Sequence, residues 1–257
     1  TSRPSSNFIP VNELSAPRTK QLYGPERSLG IGVWIRLKLF KGILSIMILG
    51  SFIFLLGCAS LKKGGAERVR LKEPRIKPLA EAECNAEQQR ILNTRKGPDG
   101  SIINIYTTMV NHPKLADRWL TFGGYVLRES TLPPREREIL ILRIGWLCRS
   151  EYEFGRHTLV GKSIGLTDEE IRRITEGPKA AGWDLFDETL LRAVDELYFD
   201  AFITDATWNA LAKRYNQQQL MDVVATVGEY NLVSMLLNSF GVQLEKDVPG
   251  FPRGKDK

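Results

Sequence analysis

Histidine and cysteine are scarce in this 257-residue chain: it has two of the first and three of the second. The cysteines, Cys58, Cys84 and Cys148, are far apart, so no pair sits at the Cys-x-x-Cys spacing that dithiol redox chemistry uses. A basic face on the folded part is also missing. The formal net charge is +6, but residues 1–57 carry seven Lys/Arg and two acids, which leaves 29 basic and 28 acidic residues from position 58 onward. A nucleic-acid binder needs its positive charge on the folded domain, so that class is excluded. No segment alternates as a half-buried strand does, and no internal repeat stands out. Apolar residues (42%) and charged residues (26%) are otherwise in ordinary globular proportion.

One long apolar run is present, residues 42–56, preceded by Lys38 and Lys41. A charged segment followed by a short apolar one is the pattern of a secretory signal, and the run is short for a comfortable membrane span. It ends Leu55-Leu56-Gly57-Cys58-Ala59-Ser60, which resembles the bacterial lipobox. The resemblance implies cleavage before Cys58, lipidation of that cysteine, and an exported protein held at a membrane; an uncleaved single-pass anchor is the alternative. Residues 1–37 are then a disordered or gene-call leader, with Val33 as one candidate start, and 38–57 the signal or membrane segment. Residues 58–79, rich in Lys, Arg, Gly and Pro, read as a flexible tether, residues 80–248 as the folded domain, and 249–257 as a disordered tail.

Within the domain every signal is helical, and the expected class is all-α, one domain of helices packed on helices. Leu115, Trp119, Phe122 and Val126 recur at helical spacing in 113–127. Pro133-Pro134 opens the next helix, and the run from Ile139 to Leu147 is apolar nearly all round, so that helix should be central. Ser150 with Glu153, and Thr167 with Glu170, have the spacing of capping boxes. Further helices are expected over 80–92, 186–202, 205–215 and 218–240.

The chemistry-bearing feature lies mid-chain. His157 follows Glu153 by four residues, so on a helix the imidazole and the carboxylate share a face and tune each other's pKa. Glu138 is a second acid, in the first turns of the apolar helix. Residues 132–143, then Leu147-Cys148 through Tyr152-Glu153-Phe154-Gly155-Arg156-His157, then 165–171, resemble the carboxymuconolactone decarboxylase family, over about residues 88–245. One branch of that family, the alkylhydroperoxidase-D type, is a thiol peroxidase using a glutamate, a Cys-x-x-Cys pair and a histidine. Mapped by the resemblance, the glutamate is Glu138 and the histidine His157, while the cysteine positions hold Ser150 and Glu153. Neither can act as a thiolate or resolve a disulfide.

The resemblance to the decarboxylase branch implies instead a lyase needing no organic cofactor, acting on a small carboxylated, lactone-like substrate. His157 is then the acid that protonates carbon, Glu153 orients it, and Glu138 is a second proton carrier. Replacing His157 with Gln should stop turnover with little loss of stability. Arg143 or Arg156 would hold the substrate carboxylate, and Tyr152 and Trp146 would shape an apolar pocket. Arg143 has a competing reading as the buried partner of Asp195. One histidine and two acids are a thin ligand set, so no metal is expected. Glu229, Asn231 and Asn238 interrupt the last helix and fit a pocket or a subunit interface; the interface is preferred, because the resemblance implies a homo-oligomer. Two other functions stay open: a thiol peroxidase using an external thiol or a cysteine outside the mapped positions, and a non-catalytic envelope oligomer.

Overall fold

Proline, capping side chains and glycine mark where the helices begin and end. The structure, a computed structural model, describes residues 71–252. The expected leader, signal segment and lipidation site at Cys58, most of the tether, and residues 253–257 lie outside the described residues. After a short 3-10 turn at Glu81–Glu83 come α1 (Ala86–Asn93), α2 (Asn104–Met109), α3 (Pro113–Arg128), α4 (Pro134–Leu147), α5 (Glu151–Ser163), α6 (Asp168–Glu176), α7 (Leu185–Asp200), α8 (Asp205–Ala212) and α9 (Gln217–Phe240). No strand occurs among the described residues.

Three helices start with reciprocal capping boxes: Asn85 with Gln88, Thr167 with Glu170, and Asn216 with Gln219. Each satisfies two backbone groups that the first turn would leave without partners. Pro113 and Pro134 open α3 and α4. Gly241, at φ +71°, ends α9 in the left-handed conformation that glycine adopts most readily.

α4 is central. Ile139, Leu140, Ile141, Leu142 and Ile144 are wholly buried, and α5, α7 and α9 pack around them. Burial on all sides explains why this helix has no polar face. Its charged side chains near the N-terminus, half-buried Arg135 and buried Glu136, are matched. Arg135 binds Asp187 at 2.8 and 3.0 Å and Glu170 at 2.6 Å; Glu136 accepts from Arg214 and Tyr215. A second apolar cluster joins Ile91, Leu92, Ile105, Met109, Ala116 and Leu120 to Tyr152, Val233 and Leu237. α9 runs past both clusters. It is long and apolar enough to cross a membrane, but more than half of its most apolar stretch is buried in this fold.

Both ends of the domain differ from expectation. Residues 71–79 lie against the bundle: Arg75 and Ile76 donate backbone hydrogen bonds to Phe240, and Leu79 to Thr107. At the other end Phe251 packs edge-on against Trp146 at 5.0 Å and close to Phe154 at 5.4 Å. Two aromatic contacts at one end and a few backbone bonds at the other are enough to dock segments whose composition alone reads as linker.

Candidate active site

The turn between α4 and α5 builds the site. Arg149 takes a left-handed conformation (φ 52°), and Ser150 donates its backbone N–H to the Gly145 carbonyl at 2.9 Å. The chain thereby reverses within three residues and lays α5 back along α4. Gly145 lets the two helices touch: a Cβ there would lie 3.5 Å from the Phe154 nitrogen and 3.6 Å from Glu153 Cγ. Glu138, about two turns before Gly145, then faces His157, one turn beyond Glu153.

The three side chains meet. His157 Nδ1 donates to Glu138 Oε2 at 2.6 Å, and Nε2 lies 3.0 Å from Glu153 Oε1. Glu138 is fully buried and His157 is 8% exposed. Arg137 Nε stands 3.6 Å from the other Glu138 oxygen. Burial opposes a charge on His157, but Glu138 and Glu153 more than offset it and lift its pKa to about 10. The imidazole is therefore an imidazolium at neutral pH, donating in both directions. Removing His157 would strand Glu138 in the interior, so a substitution there costs stability as well as chemistry, contrary to expectation. The capping box expected at Ser150 does not form: its hydroxyl makes no cap bond, and the Glu153 carboxylate turns to His157 instead.

This row ends at a cavity of about 180 Å³ at the seam between the two apolar clusters. Its walls include Ile105, Tyr106, Trp119, Leu120, Val160 and Val233, with Glu153, His157, Glu229 and Tyr230 at one end. Arg95, Arg128 and Arg156 also border neighbouring surface depressions, so they form the cationic rim. Tyr230 sets its ring edge-on to His157 at 4.9 Å. No grouping of three or more His, Cys, Asp and Glu suited to a metal ion occurs among the described residues. Glu138 and Glu153 bind opposite nitrogens of one imidazole rather than converging on a common point.

Of the residues singled out for substrate contact, Arg156 and Tyr152 line the cavity. The Tyr152 hydroxyl is already committed, donating to Glu245 Oε1 at 2.7 Å and accepting from the Ile105 N–H at 3.3 Å, so only its ring faces a ligand. Arg143 does not reach the cavity. It holds Asp195 through two bonds of 2.7 and 2.9 Å and caps the carbonyls of Ile174 and Thr175, which is the ion-pair reading. Trp146 is also elsewhere, packed edge-on with Phe154 and Phe251. Cys84 and Cys148 are not joined to each other, and neither borders the cavity. The asparagines of α9 bind this same turn: Asn231 accepts from the Cys148 thiol at 3.1 Å and Asn238 donates to the Cys148 carbonyl at 3.0 Å. Sequence reading missed Arg95, Tyr106, Trp119, Arg128 and Tyr230, which come from four separate segments and share no local pattern.

Residues 113–196 match the model of the carboxymuconolactone decarboxylase family. That match spans α3 to the start of the last turn of α7 and contains Glu138, Glu153 and His157. Solved structures share the fold. A peroxidase-related protein from Ralstonia eutropha JMP134 with an alkylhydroperoxidase AhpD core is 15% identical, with 68% of this chain and 93% of that one aligned at a TM-score of 0.60. A peroxidase-related protein from Silicibacter sp. TM1040 is 15% identical over 71% of this chain and 94% of its own, at 0.58. The debrominase Bmp8, in complex with 2,3,4-tribromopyrrole, is 11% identical over 68% and 94%, also at 0.58. No curated protein matches the chain. The fold is thus the AhpD-like, carboxymuconolactone decarboxylase-type helical bundle.

Proposed function

We propose that the protein is a thiol-free lyase that moves protons on a small carboxylated, lactone-like compound without an organic cofactor. The observation that carries this reading is the unbroken row Glu138–His157–Glu153, ending at a cavity that no cysteine borders. Glu153 occupies a position where the peroxidase branch would need a thiol, and here it is the carboxylate of the row that lines the cavity.

In such a reaction the carbon–carbon bond to the departing carboxylate breaks and CO2 leaves. The electron pair passes through the conjugated system to the lactone carbonyl, giving a dienolate. Collapse of the dienolate takes one proton onto carbon. Glu153 takes up a proton from His157 Nε2 and passes it to carbon, while Glu138 holds the imidazole in place and solvent restores the lost proton. Arg156, on the rim, draws the anionic substrate inward. Apolar walls keep water from the dienolate. A flat ligand suits the Tyr106 and Trp119 walls, and a fold neighbour does bind a small planar brominated pyrrole.

The test is a panel of unsaturated γ-lactone carboxylates, with CO2 release measured beside thiol-dependent peroxide consumption. Release of CO2 with no peroxide consumption is the expected result. Peroxide consumption with an external thiol would favour the peroxidase reading that two fold neighbours' names suggest. At the cell level, we propose an exported protein anchored through lipid on Cys58 and assembled with copies of itself.

A further inference from the structure

α9 brings a carboxyl into the cavity that the relay does not use. Glu229 is 3% exposed, and neither of its oxygens has a hydrogen-bond partner. It borders the cavity together with Glu153, Arg156 and His157 of α5, Trp119 and Arg128 of α3, Tyr106 of α2, Tyr230 beside it, and Arg95 after α1. The Trp119 indole N–H is likewise buried and makes no hydrogen bond of ordinary geometry, though it lies near enough to Glu229 to favour that group's charged form. Gly123 makes room on the opposite wall: a Cβ there would stand 3.1 Å from Glu229 Oε1. A buried carboxyl with no well-formed hydrogen bond is costly in its ionised form, and such a group is retained where a ligand completes it.

We propose that Glu229 sits in the cavity as a neutral carboxylic acid and donates a hydrogen bond to the substrate oxygen on which negative charge accumulates. Trp119 N–H offers a second donor to the same ligand. The proposal deepens the lyase reading and rests on it for the identity of that oxygen, the dienolate oxygen. The protonation state stands apart from that reading. Burial raises the Glu229 pKa to about 7, and the Glu153 charge adds to the rise, while the Trp119 indole pulls the other way. The acid form therefore prevails below about pH 7 and gives way above it. The division of labour is then by environment: Glu153 is paired with the His157 imidazole, and Glu229 is kept protonated by its burial.

Two measurements test this on the whole protein. Infrared difference spectra across a pH series should show the carbonyl stretch of a protonated carboxyl in the wild type, fading near pH 7, and absent from Glu229→Gln. A wild type without the band near pH 6, or a band that persists unchanged in Glu229→Gln, overturns the proposal. The second measurement uses 4-nitrophenolate as a coloured planar oxyanion. Glu229→Leu should bind it about ten-fold or more weakly than the wild type, as loss of one hydrogen bond to a charged group requires. Glu229→Gln, which keeps a donor, should bind nearly as well. Equal binding by Glu229→Leu, or no binding by the wild type, overturns the donor role. Both readouts are independent of turnover, so a protein that passes them yet releases no CO2 would refute the lyase reading and leave this one standing.

Discussion

Replacing Glu138 with Gln removes one charge from the row and leaves its shape. In the wild type two carboxylates hold the His157 pKa at about 10 against the pull of burial. A hydrogen bond between charged groups contributes about 1.5–3 kcal/mol, which corresponds to a fall of about one to two pKa units when the Glu138 charge is lost. Nuclear magnetic resonance of the histidine ring signals measures this directly. The chain has only one other histidine, His112, exposed at the N-cap of α3, so the ring signals of two residues are all that must be told apart. The same shift has a consequence for stability. A histidine whose pKa is raised by folding contributes stability that is full below its unfolded value and is lost as pH rises through its folded value. The wild type should therefore lose melting temperature between about pH 7 and pH 10, and Glu138→Gln should lose less over that window. A wild-type His157 that titrates near 6.5, or one that Glu138→Gln leaves unmoved, would refute the reasoning.

Arg143→Met should destabilise the fold by about 3–5 kcal/mol in urea unfolding, because it leaves Asp195 and two helix-end carbonyls without their partner; a cost below about 1 kcal/mol would show the pair to be incidental. Replacing both Cys84 and Cys148 with Ala should leave CO2 release intact, and its loss would point to thiol chemistry. The exposed row Met221, Val224, Leu232 and Met235 on α9 is a candidate contact between copies. Light scattering should find an oligomer in the wild type and a smaller species in Leu232→Lys; a monomeric wild type would remove that reading.

Much of this fold was legible because local chemistry agreed with it. Thr167 and Pro134 act on the backbone beside them, so their effect is readable without knowing the rest of the chain. Glu153 and His157 were legible for the same reason, being one turn apart on one helix. α2 was not: its N-cap, Ile103, offers no side-chain acceptor, and six residues give no usable period. In the sequence Glu229 reads only as an interruption of an apolar helix, fitting a pocket or, by preference, a subunit interface. Only packing shows that its neighbours are Gly123 and Trp119, more than a hundred positions away. Ser150 shows the opposite failure. Its spacing from Glu153 fits a capping box, but the buried imidazole competes for that carboxylate and wins, since a charged partner outweighs a neutral cap. The aromatic walls and the arginine rim come from segments that meet only through the tertiary fold, so no window of sequence contains them.

The account stands on Glu153 as the cavity-facing end of a working proton relay. Its most direct test is CO2 release from a lactone carboxylate that the wild type turns over, measured for Glu153→Gln, which keeps the Glu138–His157 pair and the helix. The account predicts a fall of about 10²–10⁴-fold in turnover with melting behaviour close to that of the wild type. Turnover within a few-fold of the wild type would contradict it.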